Sequence, residues 1–279
     1  MIYIELMGGL GNQLFQIFCI IAYSFENKIP FRIKSEKQDK VSPLDNISAR
    51  PTYWDNLLAN LKRFTYDEDV RLPVYRETAF FVYNKIPYTE QNFKLWGYFQ
   101  AHKYFDSQYD KIIKLLAIEK QKLAVKEKYK KYFERKYISM HFRIGDYVKN
   151  LAMHPVIRIE YYIAAVKYLS EKVKNIEEYN ILYFGEEGDN ESIQDKIRIL
   201  KAEYPKLNFI QCDYDIVDWE QMLLMSLCEH NIMANSSFSW WGAYFNNGAN
   251  KIVCYPTEWN GSTENTADLF PKNWVKIRG

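Results

Sequence analysis

The sequence predicts an α/β protein that is built on parallel β-sheets with helices on both faces. In the second half of the chain, short apolar runs alternate with amphipathic stretches of helical length, which is typical of successive strand–helix units. At the N-terminus, the apolar run IYIEL (residues 2–6) is followed by a glycine cluster and then by a helical pattern. Both observations favour strands that lie side by side in the same direction.

The sequence of the first half of the chain predicts one strand–turn–helix unit. After the strand at 2–6, apolar residues from about residue 12 onward recur at three- and four-residue spacing, so a helix is expected there. Residues 35–60 are polar and carry two prolines, which indicates a long connection. The segment 91–105 is aromatic and irregular, and a helix rich in Lys and Glu is expected at about 107–134.

The second half of the chain predicts a second α/β series, and the domain boundary is placed near residue 135. In KYISMHFR, alternation puts His141 and Arg143 on one face of a strand and Phe142 on the other. The strands are expected at 136–143, 181–184, 207–210, 231–234 and 251–255, and the helices at 159–173, 190–202, 219–230 and 239–245.

Composition excludes several classes of protein. The chain has 37 Lys and Arg against 35 Asp and Glu, a net charge of +2, so it lacks the concentrated basic face of a general nucleic-acid binder. The four cysteines have no metal or redox spacing and are expected to be buried and reduced. The apolar run that follows the glycine cluster is shorter than the roughly 20 residues that a bilayer span needs. We therefore expect a soluble cytoplasmic protein, with association at a membrane surface left open.

The glycine cluster GGLGNQ (residues 8–13) allows two interpretations. A glycine-rich turn between a strand and a helix lets backbone amides approach an anion or a sugar closely. The same glycines could serve a tight turn alone. The cluster is not a dinucleotide fingerprint, because Leu14 stands where the third glycine would be, and it is not a P-loop, because the lysine is missing.

A second stretch, HFRIGDY (141–147), places charged groups at the end of a strand. Open α/β sheets bind ligands at the carboxyl ends of their strands, and an Arg there suits a diphosphate because its planar fork can bond two oxygens. The alternative is an ion pair between Arg143 and Asp146 that only holds the loop. The acidic loop FGEEGD (184–189) is expected to be solvated, and no metal site is expected, because a metal ligand or catalytic acid here would need convergent His or Asp partners that the local sequence does not supply.

A third stretch, ANSSFSWWGAYF (234–245), joins a strand to a short helix. Asn235, Ser236 and Ser237 supply amides and hydroxyls at the positive end of that helix, which favours an anion. The structural alternative is an N-cap, with Trp240 and Trp241 in the core.

Taken together and in order, four stretches resemble glycosyltransferase family 11, which contains the α-1,2-fucosyltransferases. They are GGLGNQLFQ, WGYFQAHKYF, SMHFRIGDYV with the following His154-Pro155, and LMSLCEHNIMANSSFSWWGAYFN. The resemblance covers essentially the whole chain. It implies a GT-B-like fold, in which two Rossmann-type domains face each other across a cleft. Residues 1–135 would form the acceptor-side domain and residues 136–279 the nucleotide-sugar-binding domain.

The resemblance also implies roles for individual residues. Arg143 would hold the diphosphate of a GDP-sugar and stabilise the departing GDP. The general base stays open between Asp146, His154, another carboxylate or no side-chain base at all. The residues expected to bind the donor are His141, Arg143, Asn235, Ser236, Ser237 and Phe238, with Gly9, Gly11, Asn12 and Gln13 from the N-terminal domain.

The function implied is inverting, metal-independent transfer of L-fucose from GDP-fucose to a galactoside hydroxyl of a glycan, without a cofactor. One departure from the family is Ile144, which replaces the second Arg of the H-x-R-R-x-D pattern; alternation sends residue 144 to the face opposite Arg143. The alternatives are another nucleotide-sugar donor, a catalytically silent nucleotide- or glycan-binding protein and, less favoured by the glycine spacing, an oxidoreductase. The acceptor is not readable from the sequence.

Overall fold

A computed structural model describes residues 1–35, 51–151, 154–261 and 265–279, without the side chains of residues 146, 149 and 150. The chain divides into two compact units, Met1–Gln121 with Glu264–Pro271 and Lys122–Thr263 with Lys272–Gly279. Each unit is built on one parallel β-sheet. The predicted α/β class with two parallel-sheet domains is therefore confirmed.

The first unit contains a five-stranded sheet in the order β3-β2-β1-β5-β4. Its elements, with a helix α3 that continues into the second unit, are β1 (Ile2–Ile4), α1 (Leu10–Asn27), β2 (Phe31–Lys34), β3 (Thr65–Tyr66), β4 (Val74–Arg76), β5 (Phe93–Trp96), α2 (Tyr109–Leu116) and α3 (Ile118–Lys128). Helix α1 packs on the strands through an almost entirely buried apolar surface, which anchors the glycine turn before it.

Two features of the first unit differ from the sequence-based expectation. Segment 91–105 was expected to be irregular, but it contains β5, which pairs with β1. Four residues are too few to show an alternating pattern among so many aromatic residues. The single helix expected at 107–134 is broken, because Ala117 takes a left-handed backbone conformation (φ 54°) between α2 and α3.

The second unit contains a six-stranded sheet in the order β11-β10-β9-β6-β7-β8. Its elements are β6 (Lys136–His141), α4 (Ile159–Lys172), β7 (Tyr179–Phe184), α5 (Asn190–Glu203), β8 (Asn208–Gln211), α6 (Asp218–Ser226), β9 (His230–Ile232), α7 (Ser237–Tyr244), β10 (Val253–Pro256) and β11 (Val275–Ile277). The five strands and four helices expected from periodicity are all present, and β11 is an additional short strand.

The two units divide between Gln121 and Lys122, inside α3, rather than at residue 135. The reason is the packing of the second half of α3. The buried Lys122 ammonium donates to the carbonyl of Phe245 at 2.8 Å, and Lys128 forms an ion pair with the buried Glu220. The acceptor-side and nucleotide-binding roles of the two units stay predictions.

Several smaller expectations concern the core. Cys19, Cys212, Cys228 and Cys254 are buried and unpaired, as predicted. Trp240 and Trp241 are completely buried, which confirms the core interpretation for both. Within the described residues, no helix has the length and apolar character needed to cross a bilayer.

Candidate functional site

The topology of the second unit brings two of the sequence motifs together. From β6 the chain adds β7 and β8 on one side, and then β9, β10 and β11 on the other. The switch point therefore lies between β6 and β9, and ligands of open α/β sheets bind at the carboxyl ends of such strands. HFRIGDY follows β6 and ANSSFS follows β9. Both motifs thus meet at the position where this fold binds ligands.

His141 is the last residue of β6 and is only 6% exposed. Its ring lies against that of Phe238, with 5.6 Å between the ring centroids. Burial, with a smaller effect from the Arg143 charge, lowers the pKa of His141 to about 3. The imidazole is therefore neutral near pH 7, and its buried Nδ1 has no hydrogen-bond partner among the described residues.

Arg143 lies two residues beyond the end of β6 and forms an ion pair with Glu186. Its guanidinium carbon also sits 5.5 Å from the centre of the Tyr147 ring. The acidic loop is exposed at residues 186–188, as expected, and it also contacts this site through Glu186. Asp189 of the same loop accepts a hydrogen bond from the Gly145 amide at 2.8 Å. No local sequence signal could have found these contacts, because the partners lie about 40 residues apart.

In the Asn235–Ser237 segment the structure confirms the N-cap interpretation, and the anion-binding interpretation stays a prediction. Ser236 is the N-cap of α7, and its Oγ accepts from the Phe238 amide at 3.3 Å. The Asn235 side chain is buried and donates to the carbonyls of Pro155 (2.8 Å) and Trp259 (3.2 Å). Its amide group therefore ties two loops to the site, and Ser237 begins the helix beside it. Their contact with a donor stays a prediction.

Of the two candidate bases, the structure describes the side chain of His154 but not that of Asp146. The His154 side chain is exposed and its ring stacks on Tyr147, with centroids 4.8 Å apart. Tyr147 in turn donates to the Asn235 carbonyl at 2.8 Å. His154 thus belongs to the group of residues around Arg143. The side chain of Asp146 lies outside the described part of the structure, so its pairing with Arg143 and its role as a base stay predictions.

The departure from the family pattern has a structural explanation. Ile144 is 8% exposed and packs with Phe142 in the hydrophobic core of the second unit. Arg143 instead contacts Glu186 and Tyr147. Because β6 ends at His141, strand alternation does not itself set the orientation of residues 143 and 144. Position 144 therefore faces the core in this chain, and its apolar side chain contributes packing rather than charge at the site.

In the first unit, the conformation of the glycine turn depends on Gly8, which was not among the predicted donor-binding residues. Gly8 has φ +76°, a conformation that L side chains rarely adopt, and a Cβ there would lie 2.7 Å from Asn12 Nδ2. Gly9 is the N-cap of α1 with φ −74° and open space around it. Gly11 is buried within the helix. The conformational requirement thus falls on Gly8, while ligand contacts by Gly9 and Gly11 stay predictions.

Two amide side chains hold this turn in place. Gln13 is fully buried, and its Nε2 donates to the carbonyls of Gly8 (2.9 Å) and Pro51 (3.0 Å). Gln13 Oε1 is also buried and has no hydrogen-bond partner among the described residues. The side chain therefore holds the turn, and its contact with a donor stays a prediction. Asn12 is half-buried, and its Oδ1 accepts from Gln100 Nε2 at 2.7 Å. The motif after β1 is therefore joined to the motif after β5.

The family model of Glycosyl transferase family 11 matches residues 1–278. The chain belongs to glycosyl transferase family 11. It is similar to the O-antigen biosynthesis glycosyltransferase WbnK of Escherichia coli, with 28% identity over 313 residues that cover 99% of this chain and 100% of the relative. It is also similar to an alpha-1,2-colitosyltransferase of Escherichia coli, with 27% identity over 294 residues that cover 98% and 97%.

Among solved structures, this family 11 chain is similar to the ADP-heptose LPS heptosyltransferase II of E. coli. The identity is 11%, the match covers 99% of this chain and 89% of the other, and the TM-score is 0.49. Over the part of the family 11 chain that the structure describes, no group of three or more His, Cys, Asp or Glu side chains could hold a metal ion. Metal-independent activity stays a prediction. Family membership makes the chain a glycosyltransferase.

Proposed function

We propose that this glycosyltransferase is an α-1,2-fucosyltransferase, which moves L-fucose from GDP-fucose to a galactoside hydroxyl of a glycan with inversion at the anomeric carbon. The observation that supports a nucleotide-sugar site is the meeting of Arg143 with the Asn235–Ser237 segment at the switch point between β6 and β9. A fixed positive charge and the N-terminal end of α7 at one place suit a diphosphate.

In the proposed reaction, an acceptor hydroxyl oxygen bonds to the anomeric carbon as the bond from that carbon to the diphosphate breaks. The electron pair leaves with GDP, so negative charge grows on the leaving group. Arg143 stabilises that charge because its guanidinium stays ionised throughout the working pH range. Glu186 and the Tyr147 ring hold the guanidinium in the site. The neutral His141 lines the nucleotide side without adding a second charge.

A second candidate donor is a colitose nucleotide. The relative named alpha-1,2-colitosyltransferase matches nearly the full chain, and colitose is fucose without its 3-hydroxyl. The two donors differ by one hydrogen-bonding group on the sugar. An enzyme that uses that hydroxyl discriminates strongly between them, whereas one that leaves it in solvent does not.

The test begins with calorimetric binding of GDP, UDP and dTDP without added metal. We expect GDP to bind most tightly and Arg143→Ala to abolish its binding. Arg198→Ala is the matched control, because Arg198 is an exposed residue of the same unit that forms an ion pair with the nearby Asp195. GDP release from GDP-fucose and GDP-colitose is then compared with lactose and N-acetyllactosamine as acceptors.

Faster release from GDP-fucose supports the fucosyltransferase. Faster release from GDP-colitose would mean that the donor is a colitose nucleotide. Tighter binding of UDP or dTDP would mean that the donor carries a nucleotide other than GDP. Binding of GDP without transfer from either donor would instead fit a silent binding protein.

A further inference from the structure

Tyr147 is the last residue of the stretch HFRIGDY, and the sequence assigned no role to it. It lies in a short 3-10 turn, Gly145–Asn150, that follows β6. Its hydroxyl donates to the carbonyl of Asn235 at 2.8 Å, although the two residues are 88 positions apart. Asn235 follows β9, so this hydrogen bond joins the two motifs that flank the switch point of the second unit.

The ring of Tyr147 makes two further contacts. The Arg143 guanidinium carbon lies 5.5 Å from the ring centre, which is within the range of a cation–π interaction. The His154 ring stacks on the Tyr147 ring, with 4.8 Å between the centroids and 22° between the planes. One half-buried side chain thus contacts the proposed diphosphate ligand Arg143, the loop at residue 154 and the segment after β9.

The contacts of Tyr147 form a closed set through Asn235. The Asn235 side chain donates to the carbonyl of Pro155 at 2.8 Å, and Pro155 directly follows His154. The hydroxyl of Tyr147 therefore binds Asn235, Asn235 binds Pro155, and the neighbouring His154 returns to the Tyr147 ring. Each of the three segments is held by the other two, so none of them shifts without the loss of a contact. All of these residues belong to the second unit.

The hydrogen bond from Tyr147 also fixes the start of α7. The carbonyl that it binds belongs to the peptide group between Asn235 and Ser236, and Ser236 is the N-cap of α7. The orientation of this peptide group determines where the first amides of the helix lie. Donors that are held in place before a ligand arrives bind it more tightly, because they need no rearrangement.

We propose that Tyr147 is a positioning residue of the donor site, an inference that rests on the proposed function. Its hydroxyl holds the start of α7 and its ring holds the Arg143 guanidinium, so that both are in place for the diphosphate of GDP. Tyr147 acts through these two groups, and it neither transfers a proton nor forms a covalent bond. Loss of its contacts should therefore weaken GDP binding and slow the transfer in a protein that still folds.

Two substitutions separate the contribution of the hydroxyl from that of the ring. Tyr147→Phe removes the hydroxyl and keeps the ring, whereas Tyr147→Leu removes both. The matched control is Tyr204→Phe, because Tyr204 is also half-buried in the second unit and its hydroxyl also donates to a backbone carbonyl, that of Ile163, at 2.8 Å. The measurements are calorimetric GDP binding, kcat/KM for GDP release from GDP-fucose with lactose, and thermal melting.

Tyr147→Phe and Tyr204→Phe each remove one hydrogen bond to a carbonyl, so we expect similar small decreases in melting temperature. Tyr147→Phe alone should weaken GDP binding, by roughly 3- to 10-fold, and lower kcat/KM by about tenfold. Tyr147→Leu should lower both further. The difference in kcat/KM between Tyr147→Phe and Tyr147→Leu should largely disappear in an Arg143→Ala background, because the ring acts through the arginine.

A GDP affinity of Tyr147→Phe within twofold of that of Tyr204→Phe overturns the proposal and leaves the fucosyltransferase standing. A difference between Tyr147→Phe and Tyr147→Leu that is equally large in the Arg143→Ala background overturns the role of the ring. Should Tyr147→Leu fail to fold, the comparison of Tyr147→Phe with Tyr204→Phe decides alone. A wild-type protein that binds GDP but transfers no sugar refutes the proposed function, and weaker GDP binding by Tyr147→Phe would then still support the role of Tyr147. A wild-type protein that does not bind GDP refutes both.

Discussion

Replacing Arg143 by Ala should separate activity from stability. The substitution removes the guanidinium at the carboxyl end of β6 and the ion pair with Glu186. It leaves the core intact, because Phe142 and Ile144 on either side of Arg143 provide the packing. The two consequences of the change can therefore be estimated separately.

The stability effect should be small. The Glu186 side chain is 52% exposed, so the carboxylate that loses its partner is still hydrated. Ion pairs with one exposed member contribute about 1 kcal/mol or less. For a chain of this size, a loss of about 1 kcal/mol lowers the melting temperature by roughly 2–4 °C.

The effect on catalysis should be much larger. Removing one preorganised donor to a developing negative charge typically costs about 3–4 kcal/mol, which corresponds to roughly 100- to 1000-fold in rate. The measurement is kcat/KM for GDP release from GDP-fucose, taken from rates at donor concentrations well below saturation, alongside a thermal melt of the same preparation. A turnover within about tenfold of wild type would refute the assignment of Arg143 to the leaving group. A drop in melting temperature well beyond a few degrees would show that the arginine has a larger structural role than its contacts indicate.

Two further predictions concern the turn and the buried histidine. Gly8→Ala should lower the free energy of unfolding by about 1–2 kcal/mol, because Ala is strained at φ +76°. Gly9→Ala should be tolerated, because the backbone there has φ −74°. The urea unfolding midpoints of the two variants measure this difference, and equal midpoints would contradict it. The wild type should lose more stability than His141→Gln as the pH falls from about 6.5 to 3. In that range the unfolded chain protonates His141, at its usual pKa of about 6.5, while the folded chain, with a pKa of about 3, does not. Urea unfolding at pH 7, 5 and 4 measures this difference, and parallel losses in the two proteins would show that His141 is not buried as a neutral group.

Much of the fold could be predicted because it depends on local periodicity. The alternation in KYISMHFR and the apolar spacing of the helices in the second unit indicated elements that the structure contains. The burial of Trp240 and Trp241 followed from their place in a short apolar helix. The elements that were missed, such as β4, β5 and β11, span only three or four residues, and so short a run has no readable period.

The sequence by itself determined the α/β class and the family, because strand–helix alternation and ordered motifs are properties of neighbouring residues. It also predicted the residues of the proposed donor site. Only the tertiary structure decided which motifs meet. The switch points depend on pairing between strands far apart in the chain, such as β6 with β9 and β1 with β5. The contact of Glu186 with Arg143 and the hydrogen bond from Gln100 to Asn12 arise in the same way. These side chains come together only when the parallel sheets form, so no local pattern in the sequence records them.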